Sequence, residues 1–176
     1  LSGVGTIPFE AALVGKLSYG IDISLPAYYI SYAKVNVPNS SESFAYIESL
    51  DNFIKNNRCT KKEIDEVKSF GFNKKLSEYY EENTLKEILL ARRFVKENYP
   101  STPSEMLVVA SLLHILHGNR PYALSRRSHP IVPYAPTGDF IYKSLIEKLC
   151  EKVNRVINEE LPFNFKNLDF TNSTFH

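Results

Sequence analysis

Apolar residues recur at helical spacing through the middle of the chain and at strand spacing near its start. Phe44, Ile47, Leu50 and Ile54 form one such run, and Ile64, Val67 and Phe70 a second. Leu85, Ile88 and Leu89 form a third, and Met106, Leu107, Ala110 and Leu113 a fourth. Steps of three and four residues place these side chains on one face of a helix. Each run opens on a capping residue with a glutamate three positions later: Asn39/Glu42, Thr60/Glu63, Thr84/Glu87 and Thr102/Glu105, the first being the looser match. In such a box the cap oxygen accepts from one free helix N–H and the glutamate from another, so the pattern predicts four helix starts. A fifth helix is predicted from about Phe140 to Asn158 on Ile141, Leu145, Leu149, Val153 and Val156.

The first forty residues read differently. Thr6 as a cap, Pro8 in the first turn and Glu10 beside the positive helix end predict a helix that Gly15 stops. Leu17, Tyr19, Ile21 and Ile23 then alternate with small or polar residues, as in a short strand. A second helix is predicted from Pro26, with Ser24 as its cap, to Val37, where Pro38 ends it. Turn, helix, strand, helix is the opening of a doubly wound α/β unit whose first strand would precede Leu1. Residues 161–176 alternate weakly through Phe163 and Phe165 and return to strand-and-turn composition. The expected fold is therefore α/β: a partial Rossmann-like sheet interrupted by a large all-helical insertion. Residues 1–38 would begin the α/β domain, 39–160 would be the insertion with a proline-rich loop over 118–138, and 161–176 would rejoin the sheet. The chain is expected to be an internal piece of a longer polypeptide.

Composition narrows the function classes only slightly. The 176 residues carry 43% hydrophobic side chains, enough for a sizeable core, and a formal net charge of +1. No global basic field exists, so any nucleic-acid contact must come from a local patch. Cys59 and Cys150 are far apart and form no metal-binding or redox pair, which suits two free thiols in a reducing compartment. The longest apolar stretch, Met106 to Leu116, includes Ser111 and His114 and is shorter than the ~18 residues that a membrane span requires. With no basic-then-apolar leader, a cytoplasmic location without membrane contact is expected.

Three constellations could carry chemistry. Gly3-Val4-Gly5-Thr6 allows positive φ and close backbone approach at a helix start, where N–H groups can face a ligand. Pro8 occupies the third glycine of the dinucleotide fingerprint, which counts against NAD or FAD. Asp22, at the end of the expected strand, stands where ribose hydroxyls are accepted; a tight turn with a solvent-facing acid is the competing reading. The second constellation runs from Gly118 to Pro130 and holds Asn119, Arg120, Ser125, Arg126, Arg127 and His129 without an acid. Arginine forks suit phosphates and guanine edges, although the same arginines could pin helices through carboxylates and carbonyls. The third is the polar turn Asn172-Ser173-Thr174. His114 and His117 lie one helical turn apart but lack a third ligand, so helix packing is the expected role and no metal site is assigned.

Ser2 to Ala12, followed by Gly20-Ile21-Asp22-Ile23-Ser24, resembles motif I and the next acidic motif of S-adenosylmethionine-dependent amino-methyltransferases, which modify the exocyclic nitrogen of adenine or cytosine in DNA. The run from Asn119 to Gly138 is similar to a signature of a subset of bacterial DNA methyltransferases. The resemblance implies that Gly3, Gly5 and Thr6 wrap the methionine end of S-adenosylmethionine, and that Asp22, with Ile23 beside it, takes the ribose. It also implies that Asn172 stands where the family has an acid bonding the adenine amino group, Asp169 being an alternative register. Residues 119–129 would then contact DNA, and the rest of the parent polypeptide or a complementary chain would be a partner. Val4 departs from the serine that the family often has. The family's catalytic Pro-Pro-aromatic motif is absent, since no two prolines are adjacent, so no catalytic residue is expected in this chain. An RNA guanine-N2 methyltransferase and a non-catalytic nucleic-acid-binding module are the alternatives.

Overall fold

The computed structural model describes residues 3–69, 80–116 and 140–159. Seven helices follow one another among them: α1 (Thr6–Leu13), α2 (Leu25–Val35), α3 (Ser40–Asn56), α4 (Lys61–Ser69), α5 (Glu82–Glu97), α6 (Pro103–Ile115) and α7 (Leu145–Ile157). The chain divides into two compact units. One comprises Leu1–Ile47, Pro100–Leu113 and Glu151–His176; the other comprises Glu48–Tyr99 and His114–Cys150.

In the first unit α1 packs against α2. Ala12 and Val35 are fully buried there, with Phe9 and Tyr32 closing over them. Steric fit also fixes the entry to α1: a Cβ on Gly5 would lie 2.7 Å from Ser31 Cα and Oγ. A buried polar joint links the starts of α3 and α6. The Ser104 hydroxyl accepts from the Asn39 N–H at 2.9 Å and donates to Glu42 Oε2 at 2.9 Å. Ser43, wholly buried, donates to the Asn39 carbonyl at 3.0 Å. Buried hydroxyls of this kind are tolerated because each has a partner.

In the second unit Val67 of α4 meets Tyr80, Leu85 and Leu89, with Cys59 and Ile88 at the edge of the cluster. Phe53 and Phe94 pack edge-on at 5.4 Å between centroids, and the Arg93 guanidinium lies 5.6 Å from the Phe53 ring centre. Arg93 also pairs with Glu63 at 3.4 Å and donates to the Arg58 carbonyl at 2.8 Å, fastening α5 to α4 and the turn before it.

The expected sheet is corrected by this architecture. Among the described residues there is no strand, and Leu17–Ile23 is irregular chain. Alternation makes a segment competent to pair, but a strand forms only when a neighbour takes up its N–H and C=O groups. Here no described segment does so, and the apolar half of the alternation faces outward, Leu17 at 82% and Ile23 at 87% exposure. The Rossmann-like description of residues 1–38 therefore does not hold. The stretch expected to rejoin a sheet, 161–176, lies outside the described residues, as does the loop over 118–138.

Candidate cofactor-binding site

The glycine turn is built by two positive-φ residues, Gly3 at 56° and Gly5 at 71°. Both lie in the left-handed region, which costs L-residues with a Cβ roughly 1–2 kcal/mol. Gly5 is the N-cap of α1, so Thr6, expected as the cap, is instead the first helical residue. The α1 start has no side-chain cap. Its first intrahelical bond runs from the Phe9 N–H to the Gly5 carbonyl at 3.1 Å.

Asp22 closes the turn. Its Oδ2 accepts from the Gly3 N–H at 2.9 Å and its Oδ1 from the Ser24 N–H at 3.0 Å. These two bonds, the Ser24 one first, hold the Asp22 carboxyl below the ordinary aspartate range. The carbonyl side of the turn is held from α2: Ser31 Oγ donates to the Gly3 carbonyl at 3.2 Å and Lys34 Nζ to the Val4 carbonyl at 2.7 Å. Sequence reasoning missed Ser31 and Lys34. Their spacing of three puts them on one face of α2, but nothing local says that this face meets residues nearly thirty positions earlier.

The two glycines serve different ends. Gly5 has no room for a side chain because α2 lies against it, whereas a Cβ on Gly3 would meet nothing within 4 Å. One face of the turn is thus packed on protein and the other is open. Val4, Ile7, Ile21 and Ile23, sequence neighbours of these glycines and of Asp22, are exposed apolar side chains. The structure therefore brings together Gly3, Gly5, Thr6 and Asp22, with Ile23 next in the chain to the carboxylate. Asn172 lies outside the described residues, and so do Asn119, Arg120, Ser125, Arg126, Arg127, His129 and His117.

His114 is in the last turn of α6. Among the described residues no group of three or more His, Cys, Asp or Glu side chains is placed to hold a metal ion. Both cysteines are free, and burial pushes each thiol up from its ordinary value, Glu63 adding to the effect at Cys59 and Asp51 at Cys150. No helix among the described residues is long and apolar enough to cross a membrane. No family model matches this sequence, and no curated protein and no solved structure matches it.

Proposed function

We propose that this chain is part of a site-specific DNA methyltransferase that transfers the methyl group of S-adenosylmethionine to an exocyclic amine of adenine or cytosine. The observation that carries the reading is the positive-φ glycine turn closed by Asp22 at the start of α1. A residue set of this kind fits the cofactor in three respects. Gly3 leaves the outer side of the turn open to a close-lying ligand. The uncapped start of α1 presents N–H groups and the positive end of the helix dipole, which suits the carboxylate of the methionine part. Each Asp22 oxygen accepts one backbone N–H and keeps further acceptor capacity for a ribose hydroxyl.

The cofactor, when bound, supplies the methyl group on its sulfonium. The residues of this chain contribute binding and orientation: the turn holds one end of the ligand and Asp22 the ribose, while Ser31 and Lys34 keep the turn in shape from behind. The residue that holds the target amine is not assigned to this chain. Arg120, Arg126 and Arg127, with Asn119, Ser125 and His129, are the proposed DNA contacts on the resemblance of their run to the methyltransferase signature.

The binding-module reading is favoured by one observation, that both Asp22 oxygens already serve backbone N–H groups, as they would if the turn only braced the fold. Titration calorimetry separates the two. S-adenosylmethionine is expected to bind the full polypeptide that contains this chain, and Asp22→Ala and Gly3→Val are each expected to weaken it by about tenfold or more, the scale of one charged hydrogen bond. Unchanged affinity in both variants, or no binding by the unaltered protein, overturns the methyltransferase assignment.

A further inference from the structure

Two side chains of α2 set the direction of the peptide groups in the glycine turn. The Ser31 hydroxyl donates to the Gly3 carbonyl at 3.2 Å, and the Lys34 ammonium donates to the Val4 carbonyl at 2.7 Å. In a trans peptide, as these are, a carbonyl and the N–H of the next residue point in opposite directions. The Gly3 carbonyl, held on Ser31, therefore turns the Val4 N–H away from that side chain. Lys34 does the same for the Gly5 N–H through the Val4 carbonyl. The sign of φ alternates along the turn, positive at Gly3, negative at Val4 and positive at Gly5. Alternation of this kind makes successive N–H groups converge on a concavity that suits an anion.

Neither bond is the one its residue makes by default. A lysine in the last turn of a helix ordinarily serves the carbonyls of its own helix end, but Lys34 reaches back thirty positions. A helical serine often returns its hydroxyl to a carbonyl one turn earlier. Ser31 instead is buried against Gly5 and directs its hydroxyl to Gly3. Asp22 takes the Gly3 N–H, so the donors turned away from α2 begin at Val4. The two carbonyls whose negative ends would repel an anion each face a donor from α2, and Lys34 adds a full positive charge behind them.

We propose that Ser31 and Lys34 are positioning residues that aim the Val4 and Gly5 N–H groups at a ligand carboxylate, and so make the turn select S-adenosylmethionine over the same nucleoside lacking that carboxylate. This deepens the reading of the turn as the cofactor site and rests on it. Both side chains act through the backbone, from the side of the turn opposite the ligand.

The test is titration calorimetry on the full polypeptide with two probes, S-adenosylmethionine and decarboxylated S-adenosylmethionine. The wild type is expected to prefer the first. Ser31→Ala and Lys34→Met are each expected to weaken S-adenosylmethionine by about fivefold, the scale of one hydrogen bond, and to leave the decarboxylated probe unchanged. Lys34→Arg, which keeps a donor and its charge, is expected to retain the preference. Ser31→Ala changes no charge, so its loss of preference reads orientation rather than attraction through space. If that variant does not fold, Lys34→Met at low and high salt keeps the test decisive, because attraction through space fades with added salt and an orienting bond does not. Equal weakening of both probes would reduce Ser31 and Lys34 to structural supports and overturn the proposal, as would an unchanged preference in the folded variants. A wild type that binds both probes equally overturns the carboxylate assignment while leaving the cofactor site intact. A wild type that binds neither removes the cofactor reading, and this proposal with it.

Discussion

Gly3 and Gly5 sit two residues apart with similar positive φ, yet different forces require them. At Gly5 the conformational cost of a Cβ adds to a collision with Ser31, partly with its backbone, which cannot rotate away. At Gly3 only the conformational cost applies. Gly5→Ala is accordingly expected to destabilise the protein by about 2–4 kcal/mol and Gly3→Ala by about 1 kcal/mol. Urea unfolding of the two variants checks this; equal losses would mean that α2 moves aside at little cost. The pair also shows what the sequence can and cannot convey at this scale. Two glycines and an acid mark a turn and its closing partner, and Asp22 does close it. That one glycine answers to a neighbouring helix and the other to open space depends on tertiary approach, which no local pattern encodes.

Helix starts were legible where the capping interaction is local. Thr60 and Glu63 exchange both bonds of the box, at 2.7 and 3.2 Å, and Thr102 and Glu105 do so at 3.2 Å each way. Thr60→Ala removes the oxygen that serves the Glu63 N–H and is expected to cost about 1 kcal/mol, read as a lower urea midpoint with an unchanged slope. A loss below a few tenths would mean that Glu63, still paired with Arg93, suffices at this start. Asn39 and Glu42 make half a box: the Glu42 N–H donates to Asn39 Oδ1 at 3.1 Å, but the carboxylate takes the Ser104 hydroxyl instead. Thr84 and Glu87 are no start at all. α5 begins at Glu82, capped by Glu81, whose carboxylate accepts from the Asn83 and Thr84 N–H groups. That frees both Thr84 and Glu87 for residues more than fifty positions away. The same distant bonds explain why α7 begins at Leu145 rather than near Phe140, since Tyr142 and Lys143 are held in non-helical chain. The Leu17–Ile23 alternation predicts a strand that does not form for the matching reason: pairing needs a partner, and a single strand's pattern does not contain one.

At the scale of the whole molecule the charge balance decides how the proposed DNA binding can be tested. With 21 lysines and arginines against 20 acids, the chain has almost no net field to steer a polyanion. Attraction must come from where cations are grouped without acids, and residues 118–138 are such a stretch. The helices, by contrast, intersperse their charges: Lys55 with Asp51, Lys68 with Asp65 and Lys86 with Glu82 are neighbours on exposed surfaces, where such pairs are worth little to stability. Two double variants therefore separate local from global electrostatics. Arg126→Ala/Arg127→Ala and Lys61→Ala/Lys62→Ala each remove two positive charges, and Lys61 and Lys62 lie exposed at the start of α4, away from the glycine turn in sequence. If binding follows net charge, both variants weaken it equally and both flatten its dependence on salt. If it follows the arginine stretch, the slope of log K against log salt falls by about two in the arginine variant, close to one counterion per contact, and is unchanged in the lysine variant. The second outcome is expected, because screening confines each cation's influence to about 10 Å at moderate salt and leaves no role for charges off the contact surface. Equal losses in the two variants would overturn the proposed DNA contact by residues 119–129.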